Sequence, residues 1–121
     1  MSEKFLFHGQ TTFIDKPKNT VISNFQNTYI TGNNPEKDKI NTEILKLVEL
    51  ILTSNDLPDA TKEEVAQALH TVAEQVKEEK GNKLTLKGTL QAVQEIVSKA
   101  ADIAVPAMSI FTTVFKLIGL G

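Results

Sequence analysis

The sequence predicts an α+β fold: a β-repeat head over residues 1–34, with four short strands at an eight-residue period, followed by a three- to four-helix bundle over residues 35–121. Three observations predict it. Residues 3–34 repeat themselves, the composition changes abruptly at Asn34-Pro35-Glu36, and beyond that point apolar residues recur at spacings of three and four.

Written in eights, the head reads EKFLFHGQ, TTFIDKPK, NTVISNFQ, NTYITGNN. Each unit carries an apolar pair at its third and fourth places: Phe5-Leu6, Phe13-Ile14, Val21-Ile22 and Tyr29-Ile30. Thr12, Thr20 and Thr28 precede the last three pairs, and turn-formers such as His8-Gly9-Gln10, Lys16-Pro17-Lys18 and Gly32-Asn33-Asn34 separate them. β-branched and aromatic residues between turn-formers read as short strands. The units fit an antiparallel meander packed on the helices, the rungs of a small β-solenoid, or strands shared between chains; the plainer alternative is an ordinary small sheet whose repeat is partly coincidence. Four short strands with few large side chains make a poor core and leave edges to cover. Regularly spaced Asn and Thr can also stack in ladders between like strands. The expected oligomer interface is therefore Phe5, Phe13, Ile14, Val21, Ile22, Tyr29 and Ile30.

Helices are expected at about 35–54, 61–80, 85–104 and 107–119. The first has Asn34 as N-cap and Pro35 at its first position, with an apolar stripe of Ile40, Ile44, Leu47, Val48 and Ile51. The second is expected to open on a Thr61/Glu64 capping box and to close at Gly81, with Val65, Leu69, Val72 and Val76 along one side. The third, capped near Thr85, carries Leu90, Val93, Ile96, Val97, Ala100 and Ile103; Gly88 weakens its start and Pro106 forces a kink or stop near Ala104.

The last stretch is nearly all apolar. Met108, Ile110, Phe111, Val114, Phe115, Leu117 and Ile118 make it a membrane or partner helix by expectation, with Lys116 as its single charge. Residues 103–120 would span roughly 27 Å as a helix, close to the hydrocarbon thickness of a bilayer, so a membrane is a possible partner through this segment. The alternative is a central helix wrapped by the other stripes.

Composition bounds the chemistry. There is no cysteine, which excludes disulfides, thiolate metal sites and Cys nucleophiles. The net charge is −2 and all thirteen basic residues are Lys. Without arginine or a dense Lys cluster, nucleic acid is not an expected partner. His8 and His70 stand apart from any ligand spacing, no GxSxG elbow or phosphate-cradling glycine loop occurs, and no catalytic, cofactor or metal residue is nominated. The start of the chain lacks a basic, apolar and small-residue leader pattern, so a cytoplasmic location is expected, with membrane association as the variant. The leading expectation is a non-enzymatic module that assembles with copies of itself or another protein. The alternative is a small bacterial-type membrane-active effector or accessory protein working through its C-terminal helix, and a weaker third is a small-molecule binder.

Overall fold

The computed structural model describes residues 18–79 and 82–119, and five helices account for nearly all of them: α1 (Lys18–Tyr29), α2 (Pro35–Thr53), α3 (Asp59–Glu78), α4 (Lys83–Val97) and α5 (Ala104–Ile118). No strand occurs among the described residues, so the expected α+β class gives way to an all-helical bundle. The last two units of the repeat are α1 and the turn leading to Asn34; the first two, with Phe5, Phe13 and Ile14, lie outside the described residues.

The reason is packing. Val21 and Phe25 stand four apart, and both are buried to within 1 % in the same core as the other helices. A strand would have placed Val21 and Phe25 on one face with the polar Ser23 between them. A helix instead turns Ser23 and Asn24 to solvent, where both are exposed. Twelve residues with this composition make a marginal helix in isolation, so tertiary contacts hold it. Its terminal carbonyls are taken up from other helices: Lys77 Nζ donates to Thr28 O at 2.8 Å, and Asn41 Nδ2 donates to Tyr29 O at 3.1 Å.

α2 begins as its sequence dictates, with Asn34 Oδ1 accepting from the backbone N–H groups of Glu36 and Lys37. It is the central helix, packed against α1, α3 and α5. Lys37 near its start donates to Lys77 O and Glu79 Oε2 at the end of α3, which makes α2 and α3 antiparallel. α1 runs parallel to α3: Phe25 lies beside His70 and Thr28 beside Lys77. α4 and α5 close the other side, with α4 against α3 and α5, and α5 against α2.

Three boundaries differ from expectation. α3 starts at Asp59 after Pro58, without a side-chain cap, so Thr61 lies inside the helix and the capping box is not made. α3 closes on Glu79, which takes the left-handed conformation (φ 57°) expected of Gly81, a residue outside the described set. α4 starts earlier and stops earlier than 85–104: Asn82 Oδ1 accepts from Thr85 N–H at 2.8 Å, and the helix ends at Val97. Pro106 would have clashed one turn back in a continuous helix, and the chain avoids this by breaking over residues 98–103 and restarting at Ala104, which places Pro106 in the first turn of α5.

Candidate interaction surface

The side chains nominated from sequence fall into two groups. In α1 and the turn after it, Val21 is in the core while Ile22, Tyr29 and Ile30 are half-buried. Tyr29 and Phe25 meet edge-on at 4.7 Å, and both pack edge-on against the His70 ring, with Tyr29 Oη 3.3 Å from His70 Nδ1. Burial raises the Tyr29 hydroxyl above its ordinary pKa, and the nearby Glu74 and Glu78 push it the same way. His70 is thus part of a three-ring cluster that joins α1 to α3.

In α5, Phe111 and Val114 are fully buried, and Met108, Ile110, Phe115 and Ile118 pack around the core, with Leu117 half-buried beside them. The Phe111 and Phe115 rings stack at 6.4 Å, and Gln94 Nε2 of α4 lies 3.3 Å from Met108 Sδ. The outward strip is Val105, Ser109, Thr112 and Lys116, all exposed. The helix is therefore two-sided, with its apolar side against its own bundle. At 15 residues it spans roughly 22 Å, and no helix among the described residues is long and apolar enough to cross a membrane.

Two polar arrangements tie the bundle together. Asn41, fully buried, donates to Tyr29 O and to Ala73 O (3.2 Å), and so links α1, α2 and α3; its Oδ1 has no hydrogen-bond partner among the described residues. At the opposite end, the Asp102 carboxylate accepts from Asn55 N–H at 2.7 Å and from Ser54 Oγ at 2.8 Å, while Asp102 N–H donates to Asp56 Oδ2 at 2.9 Å. The Asn55 N–H holds the Asp102 carboxyl below its ordinary pKa, and the Ser54 hydroxyl adds to this. These are ties between turns; no group of three or more His, Asp or Glu suited to a metal ion occurs among the described residues.

Besides Val105 on α5, the bundle leaves an aligned apolar series uncovered on α4. Leu86, Leu90, Val93 and Val97 face the core. Leu84, Gly88, Ala92 and Ile96, four apart, form a second ridge that turns outward: Leu84 is 79 % exposed, Gly88 and Ala92 are exposed and Ile96 is half-buried. Beside this ridge runs a predominantly apolar groove of about 410 Å³ between α3 and α4, floored by Val65, Ala68, Ala92 and Val93 and bounded by Glu64 and Ile96. Gly88 and Thr89 also line it, and a Cβ on Gly88 would meet nothing within 4 Å. A smaller, more polar recess of about 190 Å³ lies where Tyr29, Thr31 and Asn34 meet Lys37 and Lys77. The α4 ridge was not among the residues nominated from sequence. The signal that finds it is the second i, i+4 series on the side of α4 away from its core stripe.

No family model, no curated protein and no solved structure matches this chain.

Proposed function

We propose that this chain is a non-enzymatic interaction module that assembles with copies of itself through the outward ridge of α4 and the groove beside it. The observation that supports this reading is the ridge: a large aliphatic side chain almost wholly in water, aligned with two small residues and a half-covered isoleucine, next to an apolar groove. Single exposed apolar residues are ordinary, whereas an aligned series beside a concave apolar surface marks an interaction site. Covering one leucine contributes about 1.5–3 kcal/mol, and a two-fold interface covers two copies of everything it covers. A single pair of crossing helices is a small interface, so association belongs in the micromolar range or weaker.

The test is solution mass by light scattering over roughly 1 µM to 1 mM, a range chosen to bracket that affinity. The wild-type chain should rise from monomer toward dimer mass. Ala92→Glu, which places a charge in the middle of the ridge at an exposed position, should stay monomeric with an unchanged circular-dichroism spectrum. A wild-type chain that remains monomeric across the range would overturn the reading, and an Ala92→Glu chain that still dimerises would remove α4 from it.

A further inference from the structure

The ridge of α4 and the charges flanking it are complementary to themselves, and the order of both says how two copies would meet. Along the ridge the residues run large, small, small, large: Leu84, Gly88, Ala92, Ile96. Beside it, on the neighbouring i, i+4 row, lie Lys87, Gln91 and Glu95, all exposed. Neither Lys87 nor Glu95 has a side-chain hydrogen bond or ion pair with another described residue. Resting on the self-association proposed above, we infer that two copies of this chain pair antiparallel, α4 against α4, about a two-fold axis passing near residues 90–91.

Each part of the surface then finds its complement. An antiparallel pair centred there sets Gly88 of each copy against Ala92 of the other, so the two backbones approach closely where side chains are smallest. Leu84 of each copy lies opposite Ile96 of the other, at the end of the groove formed with Ala68 and Val93, which supplies that groove with an occupant. Lys87 of each copy lies alongside Glu95 of the other, giving two equivalent charge pairs. Interdigitation of i, i+4 ridges is the commonest way two helices cross, and a two-fold makes every such contact twice. A parallel pair would instead set Lys87 against Lys87 and Glu95 against Glu95, both repulsive. The remaining cation on this row, Lys83, is turned to the bundle's own α5: its ammonium sits 3.0 Å from where a Cβ on Gly119 would lie. It therefore lies over the carboxyl end of α5, where the helix dipole favours a cation. Lys99 lies past the end of α4 in the turn over residues 98–103.

Charge exchange tests this. Lys87→Glu sets Glu against Glu twice, and Glu95→Lys sets Lys against Lys twice; each single variant should weaken dimerisation by roughly ten-fold or more at low salt. The double variant Lys87→Glu/Glu95→Lys restores both pairs with their signs exchanged and should recover wild-type affinity to within about three-fold, since close opposite charges at interfaces couple in this way. Both substitutions favour the α4 dipole, with an acid nearer its start and a base nearer its end, so loss of the helix is not expected; circular dichroism of each variant checks that. If the wild type dimerises and the single variants dimerise equally well, the antiparallel pairing is wrong while the interaction-module reading stands. Single variants that weaken dimerisation without recovery in the double also overturn it. A wild type that is monomeric throughout removes both.

Discussion

Phe25→Ala separates the helical from the strand reading of the N-terminal repeat more sharply than any other substitution. In the eight-residue pattern Phe25 belongs to the polar half of its unit and Ile22 to the apolar pair, so a strand would lose more from Ile22→Ala. In α1 the order reverses. Phe25 is fully buried, lies edge-on to Tyr29 at 4.7 Å and to His70 at 4.9 Å, and shares the core with Val21, whereas Ile22 is half-buried. Truncating a buried phenylalanine costs about 3–5 kcal/mol, the transfer of its ring plus the cavity left behind. The aromatic contacts add about 0.5–1.5 kcal/mol for each pair lost. The observed loss cannot exceed what α1 contributes in total, because beyond that the helix simply detaches. About 3 kcal/mol is therefore the expectation, against about 1 kcal/mol or less for Ile22→Ala. In a domain of this size that lowers the thermal midpoint by roughly 10 °C or more for Phe25→Ala and only a few degrees for Ile22→Ala. Urea unfolding followed by circular dichroism measures both. If Phe25→Ala falls within about 1 kcal/mol of wild type, or Ile22→Ala costs more than Phe25→Ala, the docking of α1 as described here is refuted.

Three further outcomes are expected. Asn41→Ala removes the side-chain donor to the part-buried Tyr29 O and the buried Ala73 O and should cost about 1–2 kcal/mol in urea unfolding; a loss below about 0.5 kcal/mol would mean that the Tyr29 carbonyl finds another donor. Asp102 has a depressed native pKa, so its stabilising contribution is complete above the ordinary carboxyl value of 3.8 and is lost as pH falls through the lower native value. Asp102→Asn should therefore flatten the acid limb of a plot of urea midpoint against pH while lowering the neutral plateau, and a limb of unchanged steepness would contradict the assigned hydrogen bonds. Glu79 ends α3 with a positive φ and an exposed contact to Lys37. Glu79→Gly should raise the thermal midpoint, because the left-handed conformation costs glycine little and an exposed ion pair contributes little; a lower midpoint would show that Lys37 depends on that carboxylate.

The helices after Asn34 were legible because their apolar spacing, and in α2 the cap, is written locally. Asn34-Pro35 starts α2 as a capping residue and a preset first turn should, and the stripes of α2 and α3 were read directly from their spacing. α1 was misread for a definite reason. A period of eight is also two helical steps of four, so Val21 and Tyr29 satisfy both patterns while Phe25, in the polar half of its unit, fits only the helical one, and the β-branched content of the repeat tipped the choice toward strands. What decided the matter lies elsewhere in the chain: the Lys77 and Asn41 side chains that take up α1's last carbonyls are contributed by other helices, which local propensity does not include. Two local signals on α3 do not set its ends: Pro58 precedes a helix that already begins at Asp59, so Thr61 lies inside it, and Glu79 takes the left-handed closing position, where Lys37 reaches it and Lys77 O. The α4 ridge was hidden because Gly88 and Ala92 contribute almost no hydropathy; its meaning emerges only when the rest of the bundle is seen to leave it bare.

The buried Asn41 has a consequence for how α1 is held in place along its length. Apolar residues at intervals of four can slide by one helical turn, roughly 5.4 Å, and bring one large side chain to where its predecessor sat. Such a shift of α1 along the trough between α2 and α3 would keep much of its greasy contact. It would not keep the end bonds: Asn41 Nδ2, which also donates to Ala73 O, and Lys77 Nζ each take up one carbonyl at the end of α1, and a displaced α1 would carry Tyr29 O and Thr28 O away from them. Asn41 and Lys77 thus act as a detent, converting a surface that tolerates several positions into one that accepts a single alignment.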